Sequence, residues 1–139
     1  VASDIDATYI PQRPDRTKFY FQNFAVPWTL EDVNDTRHRV AALLLDWEID
    51  PGFVDDRITA IHEMVTNAYC HGEPPVRLSL LLDDDGLLVE VADRSRRMPE
   101  RRRPGIEDLR GRGLILIEDA ARAMGWRAGR EGKVVWARF

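Results

Sequence analysis

The chain has 139 residues and a mass of 16.0 kDa, room for one domain with a hydrophobic core and too little for two of ordinary size. Hydrophobic residues make up 44% and charged residues 32%, which excludes global disorder, and no apolar run approaches the ~18–20 residues of a membrane helix. A formal charge of −4, a lone Cys70 and a start, "VASDIDATYIPQRPDR", without a basic-then-apolar leader argue against a disulfide scaffold, a structural zinc site and a secretory signal, so a cytoplasmic protein is expected.

Residues 1–16 are polar and interrupted by Pro11 and Pro14, and read as a flexible N-terminal arm ahead of a domain over 17–139. "TKFYFQNFAV" is β-branched and aromatic and ends at Pro27, which predicts a strand. Thr29 and Asp32 resemble a capping box, and Val33, Val40, Leu44 and Trp47 recur at helical spacing, so a first helix is expected over about 29–49, closed by Pro51-Gly52. Val54, Ile58, Ile61, Val65 and Ala68 then paint one narrow apolar stripe on a second helix that ends at Gly72.

Pro74-Pro75 stops that helix, and "VRLSLLLD" and "LLVEVAD" flank "DDDG", a signal for a tight antiparallel hairpin. Arg94 to Arg112 holds eight arginines against three carboxylates, with Pro99, Pro104, Gly105 and Gly111, and reads as a long loop with room for one helical turn. Loops of that length inside a small domain are functional or disordered. "GLILIEDAARAM" predicts a third helix, and "GWRAG" and "KVVWARF" a final hairpin in which Trp126 and Trp136 are expected side by side. The expected fold class is α+β: a two-layer α/β sandwich with a mostly antiparallel mixed sheet and helices on one face.

Glu63, Asn67 and His71 step by four along the second helix, on a stripe roughly opposite Ile61, Val65 and Ala68. A solvated face explains such a stripe; so does a magnesium–phosphate site, with an amide as hard ligand and a carboxylate as base. Helix geometry alone leaves both open. Asp93 ends a strand beside the loop, where a carboxylate accepts from an exocyclic amine or caps its own turn. Gly111 and Gly113 stand at a helix start, where free N–H groups and the positive end of the dipole suit phosphate oxygens.

In this order and spacing, "EMVTNAYCHG", "VADRSRRMP" and "GRGLILIEDAARAMGW", closing on "GKVVWARF", resemble the GHKL (Bergerat-fold, histidine-kinase-like) ATPase superfamily, and within it the bacterial anti-sigma-factor serine/threonine kinases. The resemblance covers about residues 17–139. It implies ATP and Mg2+ as cofactors, Glu63 as general base, Asn67 as magnesium ligand, Asp93 as adenine recogniser, Gly111 and Gly113 at the phosphates, and Arg94 to Arg112 as a lid. His71, Ser95, Pro99, Arg110, Arg112 and Leu114 complete the implied nucleotide contacts. The implied reaction is phosphoryl transfer to a serine of an anti-anti-sigma (STAS-type) partner, with a sigma factor as the second partner. Relatives commonly form homodimers through the region before the second helix.

The chain departs from the family at two places. Arg97 stands where a glycine is usual, and Val134 where a threonine commonly precedes the core of the last strand, which predicts one lost adenine-side hydrogen bond. These departures motivate a second expectation, a nucleotide-binding regulatory scaffold without kinase turnover. A nucleic-acid role is disfavoured, because the body is acidic and no aromatics interleave the arginines. His62 is expected on the helix surface and Cys70 at a small core or half-buried position.

Overall fold

The structure is a computed structural model that describes residues 5–10, 19–99 and 109–139, with side chains from 19–99 and 114–139. Phe19–Val26 forms the expected first strand (β2), and ahead of it Ile5–Ile10 forms an edge strand (β1) paired antiparallel to it. The arm expected over 1–16 therefore contains a strand, in a stretch whose β-branched and aromatic residues suit an extended edge. Leu30–Asp46 is α1, capped by Thr29, whose hydroxyl oxygen accepts from the Asp32 N–H at 3.1 Å. Pro51–His71 is α2, with Asp50 accepting from the Gly52 N–H at 2.8 Å and proline at the first helical position.

Val76–Asp83 (β3) and Gly86–Asp93 (β4) make the predicted hairpin. Asp84 and Asp85 bridge it, and Gly86 opens β4 at φ 109°, close against the Phe139 carbonyl. Leu109–Ala120 is α3, four residues earlier at each end than expected, followed by β5 (Ala123–Ala128) and β6 (Lys133–Arg138). Residues 100–108, the middle of the expected lid, lie outside the described residues.

Among the described residues six strands are ordered β1-β2-β3-β4-β6-β5, and every pairing is antiparallel, with no parallel pair of the kind a mixed sheet would contain. Period-two alternation sends Phe24, Leu78, Leu80, Val89, Val91 and Ala137 to one face, where they are fully or nearly fully buried. The helices cover that face, with α2 between α1 and α3. The opposite face carries polar pairs, such as Arg138 with Asp83 at 3.0 Å and Arg127 with Glu90. Trp126 pairs with Val135, and Trp136 with Gly125, so the two tryptophans lie on opposite faces rather than side by side. Trp47 is buried and stacks on Tyr20 with ring centroids 5.5 Å apart, and Trp28 meets Tyr69 at 5.1 Å, as packing residues. Among the described residues no helix is long and apolar enough to cross a membrane.

Candidate functional site

The alternation that buries Leu87, Val89 and Val91 continues to Asp93, so a carboxylate occupies a position of β4 where a hydrophobic side chain would complete the pattern. On β6 the same face carries Lys133, Val135 and Ala137, and Lys133 stands directly across from Asp93. Both side chains are almost wholly buried, at 6% and 1% exposure, and the ammonium lies 3.0 Å from Asp93 Oδ2 and 3.2 Å from Oδ1. Asp93 Oδ1 also accepts the Ser95 N–H at 2.7 Å and the Glu73 N–H at 3.3 Å. A buried carboxylate so supplied with donors is fixed in orientation.

Two glycines make that position possible. A Cβ on Gly72 would stand 2.6 Å from the Asp93 carboxylate carbon and 2.6 Å from the Ala68 carbonyl oxygen. Gly72 has φ −93° and extended backbone, so the residue that closes α2 is glycine for close approach, not for a left-handed cap. A Cβ on Gly132 would stand 2.1 Å from the Asp93 carbonyl oxygen and 2.5 Å from the Arg94 Cα. Side chain and main chain of Asp93 are thus each approached by a glycine.

Above this pair is a cavity of about 340 Å³, within the range of small-molecule pockets. Its floor is Val91, Asp93, Lys133 and Val135 of the sheet; its walls are Met64, Asn67, Ala68 and His71 of α2, Leu114 of α3, and Arg97, Met98 and Pro99 after β4. The apolar face of α2 is wider than the expected stripe, because Ala60 and Met64 are buried as well. At 100° per residue Asn67 and His71 stand about 60° and 20° from Met64, so they sit on the shoulder of the buried face and reach the cavity, rather than opposite it. Glu63 stands about 100° from Met64. It is half-buried and does not line the cavity.

Of the site residues expected from the sequence, Asn67, His71, Asp93, Pro99 and Leu114 meet at this cavity. Ser95 is buried beside it, with its N–H on Asp93 and its hydroxyl oxygen accepting from the Arg97 N–H at 3.2 Å, which shapes the turn leaving β4. Arg110, Gly111, Arg112 and Gly113 fall within the first turns of α3, with the two glycines at a helix start as expected, and the side chains of this stretch lie outside the described residues. Cys70 is exposed at the cavity, not in the core. Lys133 was missed: the alternation Lys133-Val135-Ala137 places it on the buried face, but only strand register sets it against Asp93. Val134, the expected lost contact, alternates to the other face of β6 and does not line the cavity.

His62 is a second departure. It lies half-buried in the closed groove between α1 and α2, among Val33, Thr36, Arg37, Val40, Ile58, Ile61 and Val65. Burial and the Arg37 guanidinium lower its pKa below the ordinary 6.5, and Glu63 opposes them.

The donor set fits a nucleotide better than a free metal ion. No cluster of three or more His, Cys, Asp or Glu suited to a cation occurs among the described residues. The Asn67 amide is a single hard ligand, which suits magnesium held mainly by phosphate oxygens and water. No curated protein matches the chain. Residues 26–139 match the family described as "Histidine kinase-like ATPase domain", and this span holds every side chain of the cavity. The chain belongs to the histidine kinase-like ATPase domain family.

Proposed function

We propose that the chain binds ATP with Mg2+ in the cavity between α2, α3 and the sheet, and acts as an anti-sigma factor and serine-protein kinase that phosphorylates an anti-anti-sigma (STAS-type) partner in the cytoplasm. The observation that carries the nucleotide reading is Asp93, a fully buried carboxylate fixed at the floor of an open cavity whose wall presents an amide and an imidazole. Asp93 accepts the exocyclic amine of adenine, Met64, Val91, Leu114 and Val135 flank the base, and Asn67 faces the phosphate end. When bound, Mg2+ neutralises phosphate charge, which is most of what this chemistry asks of a protein.

Glu63 takes the proton of the incoming serine hydroxyl. Its place one turn before Asn67, about 6 Å along the helix axis and outside the cavity, is where a hydroxyl carried by a second protein can reach it. The same observation favours the second reading, a nucleotide-binding scaffold without turnover, since a base outside the lining is not held against the nucleotide.

Labelled ATP, Mg2+ and a candidate STAS protein decide between them. Kinase action predicts transfer to a serine of that protein, abolished in Glu63→Ala with ATP affinity retained. Tight ATP binding with no transfer leaves the scaffold, and no ATP binding by the native chain removes both.

A further inference from the structure

We propose that Lys133 reads the purine together with Asp93, donating a hydrogen bond to ring nitrogen N1 beside the amine that Asp93 accepts. This rests on the nucleotide reading above and adds to it a residue that determines which base is held.

An ammonium buried to 6% exposure needs a reason. Neutralising Asp93 is one, and the two residues do form a cross-strand ion pair. That role leaves something over. Asp93 already receives two backbone N–H groups on Oδ1, and it is the only acceptor that Lys133 has among the described residues. The ammonium carries three N–H donors and the carboxylate takes at most two, so one donor remains, on a side chain that lines the cavity. Asp93 Oδ2, in turn, lies 3.0 Å from the Lys133 ammonium as its ion-pair partner and keeps a lone pair for a ligand.

The floor therefore shows an acceptor beside a donor. The edge of adenine shows the complement, an amine donor beside the N1 acceptor. Guanine presents one acceptor and two donors on that edge, so one of its N–H groups finds no partner here.

The residue type fits this task. The chain has eighteen arginines and two lysines, yet the position across from Asp93 is a lysine. A guanidinium would clamp both carboxylate oxygens in its planar fork, whereas the compact ammonium pairs with the carboxylate and can still turn a donor elsewhere. Val134, which stands at the position of the threonine expected from the resemblance, faces away from the cavity. Lys133 is the hydrogen-bonding side chain that β6 does present to it.

The test compares ATP with 1-deaza-ATP, in which N1 is replaced by C–H, by calorimetry on the native chain and on Lys133→Met. The native chain is expected to bind ATP about tenfold or more tightly than the deaza analogue, the scale of one hydrogen bond from a charged donor. Lys133→Met is expected to bind the two equally, a loss of discrimination that a merely structural role would not produce. Should Lys133→Met fail to fold, the comparison of ATP with 1-deaza-ATP on the native chain stands by itself, since the analogue removes the N1 acceptor and leaves the protein unchanged. Equal affinities in the native chain, or a preference that survives removal of Lys133, overturn the assignment while the ATP site stands. No binding of either nucleotide by the native chain overturns the assignment and the nucleotide reading together.

Discussion

The two sides of α2 both carry polar residues, and the helix treats them in opposite ways. Toward α1, His62 lies among Val33, Val40, Ile58 and Val65 in a groove too narrow to admit a water molecule, and its Nδ1 is buried without a hydrogen-bond partner among the described residues. Toward α3 and the sheet, Asn67 and His71 stand at the wall of an open cavity floored by an oriented carboxylate. A polar side chain at helical spacing is thus no evidence of a site. The difference lies in what faces it: another helix packed to contact on one side, a gap with fixed charges on the other.

Paired substitutions break this comparison most directly. Ile61→Ala, at a fully buried position of the packed side, is expected to cost about 2–5 kcal/mol of stability while leaving ATP affinity of the folded chain unchanged. Asn67→Ala, on the open side, is expected to change stability by less than about 0.5 kcal/mol and to weaken Mg2+-dependent ATP binding. Urea unfolding and calorimetry on both variants would show the two effects exchanged if the assignment of sides were wrong.

Gly72→Ala probes the junction between helix and floor. Its new Cβ would lie 2.6 Å from the Asp93 carboxylate carbon, so a destabilisation of about 1–3 kcal/mol is expected, with loss of ATP binding as the carboxylate is displaced. An unchanged midpoint with unchanged affinity would mean that Asp93 is not held as described.

The smallest effect concerns His62. Its folded pKa is lowered, so the unfolded chain takes up the proton first as pH falls. The stability it contributes is full above about pH 6.5 and is lost as pH drops through the lower folded value. Between pH 7 and 5 the urea midpoint of the native chain is expected to fall more than that of His62→Gln. Parallel curves would place His62 in an environment like water.

Much of this was readable before the fold. The capped first helix, the proline-led second helix, both C-terminal hairpins and the helix-covered antiparallel sheet follow from periodicity and turn residues, because these are local preferences written within a few residues. Asn67, Asp93 and Leu114, named from the resemblance, all line the cavity. The edge strand within 1–16 was not, since a short pairing next to prolines has no strong local signature. The shoulder position of Asn67 was misjudged because Ala60 and Met64 widen the buried face by tertiary packing that the period alone does not show.

By itself the sequence determined which segments are helices and strands, and where glycines and carboxylates sit along them. Only the tertiary structure decided that Lys133 meets Asp93, that Gly72 closes on the Asp93 carboxylate and Gly132 on its main-chain carbonyl, and that Val134 turns away. Those facts depend on antiparallel register between strands forty residues apart, with Asp93 across from Lys133, and on how closely backbones approach. Both are set by packing of the whole core, and no local preference encodes them.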